Sequence, residues 1–287
     1  MESGHQALAA TVHEVTGVRT SRFEALSGGC VAACWRVHLD DGGSVVVKQA
    51  GGGENLETEA WMLRYLAAHA PVPVPAVLHA AADVMVLDYV PTSGGIDARV
   101  EGDAAENLAA LHAVTAPRFG LERDTLIGPL RQPNPPCDDW VEFFRDHRLL
   151  YMADLAHEAG RLPADLRARI DGLAARLGDL LPRHPTPSLI HGDVWGGNVL
   201  VRDGRLAALI DPAIHYADAE IELAFVTLFG TFGETFFRRY HEIRPIDRLF
   251  REERIPLLNL YALLVHVRLF GGGYVEKVSG TLRLFGL

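Results

Sequence analysis

At Pro91-Thr92-Ser93-Gly94-Gly95 the chain changes character. Before this point, short apolar runs alternate with turn residues. After it, apolar positions recur at helical spacing over longer stretches. One uniform layer cannot satisfy both patterns, and 287 residues exceed what one small core needs. The expectation is an α+β chain of two lobes, residues 1–90 and residues 91–287, the first a small antiparallel sheet and the second mostly helical.

Residues 5–16 predict a short helix. Strands are expected near 20–27, 31–39 and 44–49, joined by Ser27-Gly28-Gly29-Cys30 and by the hairpin turn Asp41-Gly42-Gly43. Gly51-Gly52-Gly53 interrupts the chain. A helix over about 54–69 carries Leu56, Ala60, Leu63 and Leu66 at helical spacing, and Pro71, Pro73 and Pro75 end it. Strands at 76–80 and 84–87 complete a five-stranded antiparallel lobe with one helix after its third strand. In the second lobe, helices are expected over about 100–114, 138–158, 163–181, 216–229, 233–243, 247–270 and 274–285. Three short strands, 188–190, 199–201 and 207–210, lie among them, and 132–136 reads as a proline-rich loop.

Composition narrows the partners. Apolar residues make up 48% and charged residues 22%, a folded rather than disordered balance. The formal net charge is −10, and no Lys/Arg run interrupts it, which argues against nucleic acid and anionic membrane surfaces. The three cysteines, Cys30, Cys34 and Cys137, form neither a disulfide framework nor a zinc pattern, so a reduced, cytoplasmic setting is expected. Glu2 and His5 occupy a start that lacks the basic and apolar regions of a signal peptide. No apolar run approaches the roughly 20 residues of a membrane span.

The chemistry concentrates in His191-Gly192-Asp193-Val194-Trp195-Gly196-Gly197-Asn198, a turn between two apolar strands. Asn198 follows Asp193 by five positions, the Asp-to-Asn step of a kinase catalytic loop. A turn of this length lets the carboxylate face an acceptor hydroxyl while the amide oxygen faces a phosphate-bound Mg²⁺. Asp211, at the end of a further apolar strand, suits a direct metal ligand, since Mg²⁺ combines one or two carboxylates with phosphate oxygens and water. Taken singly, each residue has an ordinary reading as turn chemistry. Taken together, they match the requirements of phosphoryl transfer from ATP.

The first lobe offers the remaining parts. Lys48 ends the strand Val45-Val46-Val47 and would reach the phosphates. Glu59, on the next helix, would hold it, with Glu54 and Glu57 as competitors; Ala60 and Leu63 favour Glu59. Ser27, Gly28, Gly29 and Cys30 would lie over the phosphates. Asp88, Tyr89 and Val90 would form the hinge whose backbone meets adenine. His191 would orient the loop, Trp195 would pack on the acceptor, and His266 and Phe270 are further acceptor-pocket candidates. A thiol in the phosphate loop makes Cys30 a candidate for oxidation.

These residues resemble the fructosamine (ketosamine-3-) kinases, relatives of the aminoglycoside phosphotransferases within the protein-kinase-like fold. The resemblance runs from about Phe23 to Phe270. Its general part is Lys48, Glu59, His191-Gly192-Asp193, Asn198 and Asp211. Its more specific part includes Leu26 to Cys30, Leu108 to His112, Gln132-Pro133-Asn134, Asp139-Trp140, Trp195, Asp211-Pro212-Ala213, His266 and Phe270-Gly271. The resemblance implies transfer from ATP, with Mg²⁺, to the 3-hydroxyl of a sugar borne on an amine, free or protein-linked. A monomer or weak dimer is expected. Gly196, Met152, Ala217, Ala219, Glu222 and Arg268 depart from the family's usual residues and bear on the shape of the acceptor pocket. Two other classes stay open: a phosphotransferase acting on aminoglycosides, choline or homoserine, and a nucleotide-binding module without catalysis.

Overall fold

The computed structural model describes residues 2–26, 32–51 and 56–287. The expected phosphate loop Ser27, Gly28, Gly29 and Cys30, and the competitor Glu54, lie outside the described residues.

Helix α1 (Glu2–Thr16) precedes strands β1 (Thr20–Ala25), β2 (Ala33–Leu39) and β3 (Ser44–Gln49). Helix α2 (Leu56–His69) separates them from β4 (Val77–Ala80) and β5 (Val84–Asp88). All five strands pair antiparallel in the order β1-β2-β3-β5-β4. The alternation of side chains along β3 decides what each face does. Val45 and Val47 pack with Leu8 and Val12 of α1 on one face. Val46 joins Leu56, Ala60 and Leu63 of α2 on the other, and Lys48 shares its side.

The helical lobe begins with α3 (Ala98–His112), whose first N–H groups are capped by the Asp97 carboxylate. A two-stranded hairpin, β6 (Thr125–Ile127) and β7 (Leu130–Gln132), follows. Then come α4 (Trp140–Phe144), a π-helical segment over Arg145–Leu150, and α5 (Tyr151–Glu158). Next are α6 (Ala164–Ala174), α7 (Leu177–Leu180), β8 (Ser188–Ile190), β9 (Val199–Arg202), β10 (Arg205–Leu209) and β11 (His215–Ala217). Helices α8 (Glu220–Leu228), α9 (Glu234–Ile243), α10 (Ile255–Phe270) and α11 (Gly273–Leu284) complete the lobe, a π-helical turn over Phe250–Arg254 leading into α10. One extended apolar core, from Met62 and Leu66 of α2 to Leu282 of α11, runs beneath these elements. Among the described residues, no helix is long and apolar enough to cross a membrane.

The differences from expectation are local. The helix expected over 216–229 starts later, because His215–Ala217 forms β11 against β8. The Asp218 carboxylate then accepts the Glu220 N–H, which sets the start of α8. The helix expected over 163–181 divides into α6 and α7 just ahead of Gly178. The hairpin β6–β7 occupies a stretch with no expected strand, part of it read as loop. Its three-residue strands are too short to show a period, and the buried Gln132 and Thr125 side chains hold them together through a 2.9 Å hydrogen bond.

Candidate active site

Two cavities flank the loop 191–198. The smaller, about 310 Å³, lies under the sheet and is lined by Val46, Lys48, Glu59, Leu87, Asp88, Tyr89, Val90, Gly197 and Asp211, among others. The larger, about 590 Å³, lies among α8, α10 and the loop, and Gly192, Asp193 and Trp195 form one wall.

In the smaller cavity, the Lys48 ammonium donates to Glu59 Oε1 at 2.6 Å and also to Asp211. Glu57, the described competitor, is exposed. Burial would lower the pKa of Lys48, but the charges of Glu59 and Asp211 outweigh it and raise it above the ordinary lysine value. Lys48 is therefore a fixed cation. Asp211 takes a left-handed backbone (φ 54°), uncommon for a residue with a side chain, at the point where the chain leaves β10. At the hinge, the Arg36 guanidinium lies 3.9 Å over the Tyr89 ring, and the Asp88 carboxylate accepts the Ala76 N–H. Cys34, across the sheet from Lys48, is a free thiol in the same cavity, and burial pushes its pKa up.

The loop itself is tightly specified. Gly192 has φ +86°, and a Cβ there would lie 2.3 Å from the Ala213 carbonyl oxygen, so no other residue fits. The Asn198 amide donates to the Asp193 carboxylate at 2.8 Å and to its carbonyl at 2.9 Å. Burial first, and then the nearby Asp211 charge, push the Asp193 carboxyl up to about 7, against the Asn198 hydrogen bond. His191 is fully buried; its Nδ1 accepts the Asp193 N–H, and its carbonyl accepts the Ala213 N–H. Burial lowers its pKa, so it is a neutral imidazole.

Glu222 is the residue that sequence reasoning undervalued. It was flagged only as a departure bearing on acceptor shape. It lines the larger cavity, but both its oxygens are engaged behind the loop, accepting the backbone N–H groups of Gly192 (2.6 Å) and His191 (3.3 Å). Its side chain and that of His112 are wholly buried, and His112 Nε2 donates to it at 2.8 Å. Burial would raise the Glu222 pKa, but the His112 bond and charge, with His191 and the Gly192 N–H, hold it below the usual carboxylate range. The motif Leu108 to His112 thereby reaches the loop through one carboxylate. The only signals available beforehand were the His in that motif and an acidic residue facing an apolar helix. Of the other departures, Gly196, Met152, Ala217, Ala219 and Arg268 are not among the residues lining the larger cavity.

The larger cavity brings together the remaining candidates, Trp195, His266 and Phe270. Trp195 meets Phe229 with ring centroids 6.4 Å apart, and Phe229 meets His266 at 5.1 Å. His266 meets Phe270 at 5.7 Å and Tyr274 at 4.8 Å. Behind the cavity, the fully buried Arg148 donates to His215, to the Pro133 and His147 carbonyls and to Asn134. Tyr261 donates to Gln132 at 2.7 Å.

The donor set suits a phosphate-bound Mg²⁺. Among the described residues, no three or more His, Cys, Asp and Glu side chains converge as a self-sufficient metal site. What exists is one carboxylate, Asp211, one amide, Asn198, and a neighbouring cation, the sparse arrangement that a metal sharing phosphate oxygens requires.

A family model described as Fructosamine kinase matches residues 4–285. The chain belongs to the fructosamine kinase family. It is 35% identical over 290 aligned residues to a protein of Synechocystis sp. named a probable ketoamine kinase, covering 97% of this chain and 95% of the relative. A crystal structure of a candidate fructosamine-3-kinase from Thermobifida fusca superposes with a TM-score of 0.86 at 31% identity, covering 96% of this chain and 99% of that one. A macrolide 2′-phosphotransferase from Brachybacterium faecium shares the fold alone, with a TM-score of 0.62 at 20% identity and coverage of 96% and 97%. The fold is the two-lobe, protein-kinase-like one expected, and the chain is an ATP-dependent phosphotransferase of the fructosamine-kinase type.

Proposed function

We propose that the protein transfers the terminal phosphoryl group of ATP to the 3-hydroxyl of a ketosamine, with residues 1–90 as the nucleotide lobe and residues 91–287 as the catalytic and acceptor lobe. The observation that carries this reading is the position of the loop 191–198 between two cavities. Asp193 lines the larger one, and Asp211 with Lys48 lines the smaller one. ATP would occupy the smaller cavity, with adenine against the backbone at Asp88, Tyr89 and Val90 and the phosphates at Lys48, held in place by Glu59. Ser27, Gly28, Gly29 and Cys30 complete the nucleotide site in this reading.

The acceptor sugar would lie in the larger cavity against Trp195, with His266 and Phe270 farther along the wall. Asp193 takes the proton of the attacking hydroxyl as its oxygen bonds to the terminal phosphorus and the bond to ADP breaks. Asn198 and Asp211 would hold Mg²⁺, which supplies compensation of phosphate charge when bound. His191 fixes the loop from behind. Ketosamines are favoured over aminoglycosides because, among the described residues, those lining the larger cavity include two carboxylates, Asp193 and the fully engaged Glu222, for a polycationic acceptor.

The test is an acceptor panel with purified protein, ATP and Mg²⁺. It comprises fructosamines, ribulosamines, aminoglycosides, choline and homoserine, with ³¹P NMR to locate the new phosphate ester. A 3-phosphate on a ketosamine is the expected result. Turnover confined to the other acceptors would overturn the reading.

A further inference from the structure

We infer that the acceptor cavity selects ketosamines whose amine carries an apolar substituent, an aromatic ring above all, lying along Phe229, His266, Phe270 and Tyr274. The inference rests on the proposed ketosamine reading and goes on to the part of the acceptor beyond the sugar.

The size of the cavity is the first argument. At about 590 Å³ it has nearly twice the volume of the nucleotide-side cavity, and it extends well past Asp193 and Trp195. A single sugar at the catalytic carboxylate leaves the outer part to whatever the amine carries.

The second argument is the chemistry of that outer wall. The ring contacts run without a break from Trp195 through Phe229 and His266 to Phe270 and Tyr274. Phe270, at the end of α10, is 54% exposed and Phe229, just past the end of α8, is 38% exposed, although both helices otherwise bury their apolar faces. Clustered exposed rings beside a catalytic group mark a ligand surface more often than chance exposure does. The His266 Nδ1 is engaged by the Ala262 carbonyl at 2.7 Å, and burial lowers the ring's pKa, so it presents a neutral face.

The third argument is charge. Among the described residues, those lining the cavity include no acidic group besides Asp193 and Glu222. Glu222 is taken by His112 and two backbone N–H groups. The exposed Lys277 ammonium, outside the lining, stands 5.3 Å over the ring of the lining residue Tyr274, so the nearest outer charge on that ring is positive. The one polar acceptor left over in the wall is Asn259 Oδ1, which has no partner among the described residues, and a single N–H or O–H would satisfy it. A monoamine with an apolar extension fits these terms; a diamine does not.

The test compares the 1-deoxyfructose adducts of methylamine, butylamine, benzylamine and ethylenediamine as acceptors at saturating ATP. We expect kcat/KM to rise from methyl to butyl to benzyl by about tenfold or more in total, as burial of a ring predicts, with the ethylenediamine adduct below butyl. Phe270→Ala, at a half-exposed position, should shrink the benzyl-to-methyl ratio at least severalfold; Phe229→Ala provides the same reading on the inner side. A benzyl-to-methyl ratio near one, a preferred diamine adduct, or a ratio unmoved in both variants would overturn the inference while leaving ketosamine phosphorylation standing. If none of the four adducts accepts phosphate, the underlying reading and the inference fall together.

Discussion

The two cavities beside residues 191–198 are built by opposite means. The nucleotide-side cavity rests on a few charged groups brought into contact: Lys48 on β3, Glu59 on α2 and Asp211 after β10. The acceptor-side cavity is walled by Phe225 of α8 and Phe229 just past its end, against Ala262, His266 and Phe270 of α10. The first kind of site depends on charge and fixed spacing and tolerates almost no substitution. The second depends on shape and apolar area, which many residues can supply. Chemistry and acceptor choice should therefore respond separately to mutation.

The largest effect expected follows from removing Asp193, which lines the acceptor-side cavity. Asp193→Ala should lower kcat by about 10³-fold or more, since it deletes the proton acceptor and the partner of the Asn198 amide. Nucleotide binding, followed by the ATP-induced rise in melting temperature, should persist. Lys48→Ala should do the reverse to binding: it removes the cation shared by Glu59 and Asp211, and the nucleotide-induced rise should vanish. If Asp193→Ala abolished nucleotide binding as well, the two sides would not be separable in this way.

Most of the charged side was legible in the sequence, and the reason is geometric. Asp193 and Asn198 are five positions apart in a single turn, and Lys48 sits at the end of an apolar strand, so local spacing already constrains what they meet. The strand and helix order of the first lobe was legible through short apolar runs, such as Val45 to Val47, bounded by turn residues. The acceptor side was legible in part. Trp195, His266 and Phe270 were candidates from the sequence and line the larger cavity, whereas Phe225 on α8 and Tyr274 on α11 each read as an ordinary residue of its own helix. The three-residue strand β8 was legible, its Leu189-Ile190 leading directly into the loop 191–198, whereas β6–β7 and β11 carry polar residues (Thr125, Gln132, His215) that interrupt an apolar run. Glu222 escaped because its partners, His112 and the backbone of residues 191–192, are distant in sequence.

Glu222 supplies the next prediction. Glu222→Gln keeps the shape but turns an amide NH₂ toward backbone N–H groups that need acceptors, and leaves His112 without its carboxylate. Breaking a buried, hydrogen-bonded charge of this kind costs about 3–5 kcal/mol. Urea unfolding should show that loss, and kcat should fall because the loop carrying Asp193 is released. A stable variant with normal turnover would mean that the loop is held by other contacts.

A smaller effect should follow from Asp218, at the entry to the same helix. Burial, and then the charge of Glu220, push its carboxyl up to about 7, against the charges of Arg254 and Arg244. The folded-state value lies above the unfolded one, near 3.9, so the folded protein keeps a proton that the unfolded chain has released. The group's contribution to stability is thus fully present below about pH 4 and declines as pH rises to about 7. Over that window the decline approaches about 4 kcal/mol at 1.36 kcal/mol per pH unit. Asp218→Asn can still accept the Glu220 N–H but cannot ionise. Its stability relative to the parent should therefore improve between pH 4 and pH 8, as read from urea midpoints; a difference constant with pH would show that Asp218 is not the titrating group.

Gly197 tests the separation of the two cavities most finely, because it lines one and abuts Trp195, a wall residue of the other. It lines the nucleotide-side cavity, and a Cβ on it would fall 2.3 Å from the Trp195 ring, which walls the acceptor side. A contact that short forces movement of the half-buried indole, whose other ring neighbour is Phe229 on the acceptor side. Gly197→Ala should therefore raise the acceptor KM by about tenfold through misplacement of the sugar. The Kd for ATP should change by less, since the added methyl is small beside the Lys48–Glu59–Asp211 cluster. Steady-state kinetics with each substrate varied in turn distinguishes the outcomes. A weaker ATP Kd with an unchanged acceptor KM would place Trp195 outside acceptor recognition and leave the aromatic wall to begin at Phe229.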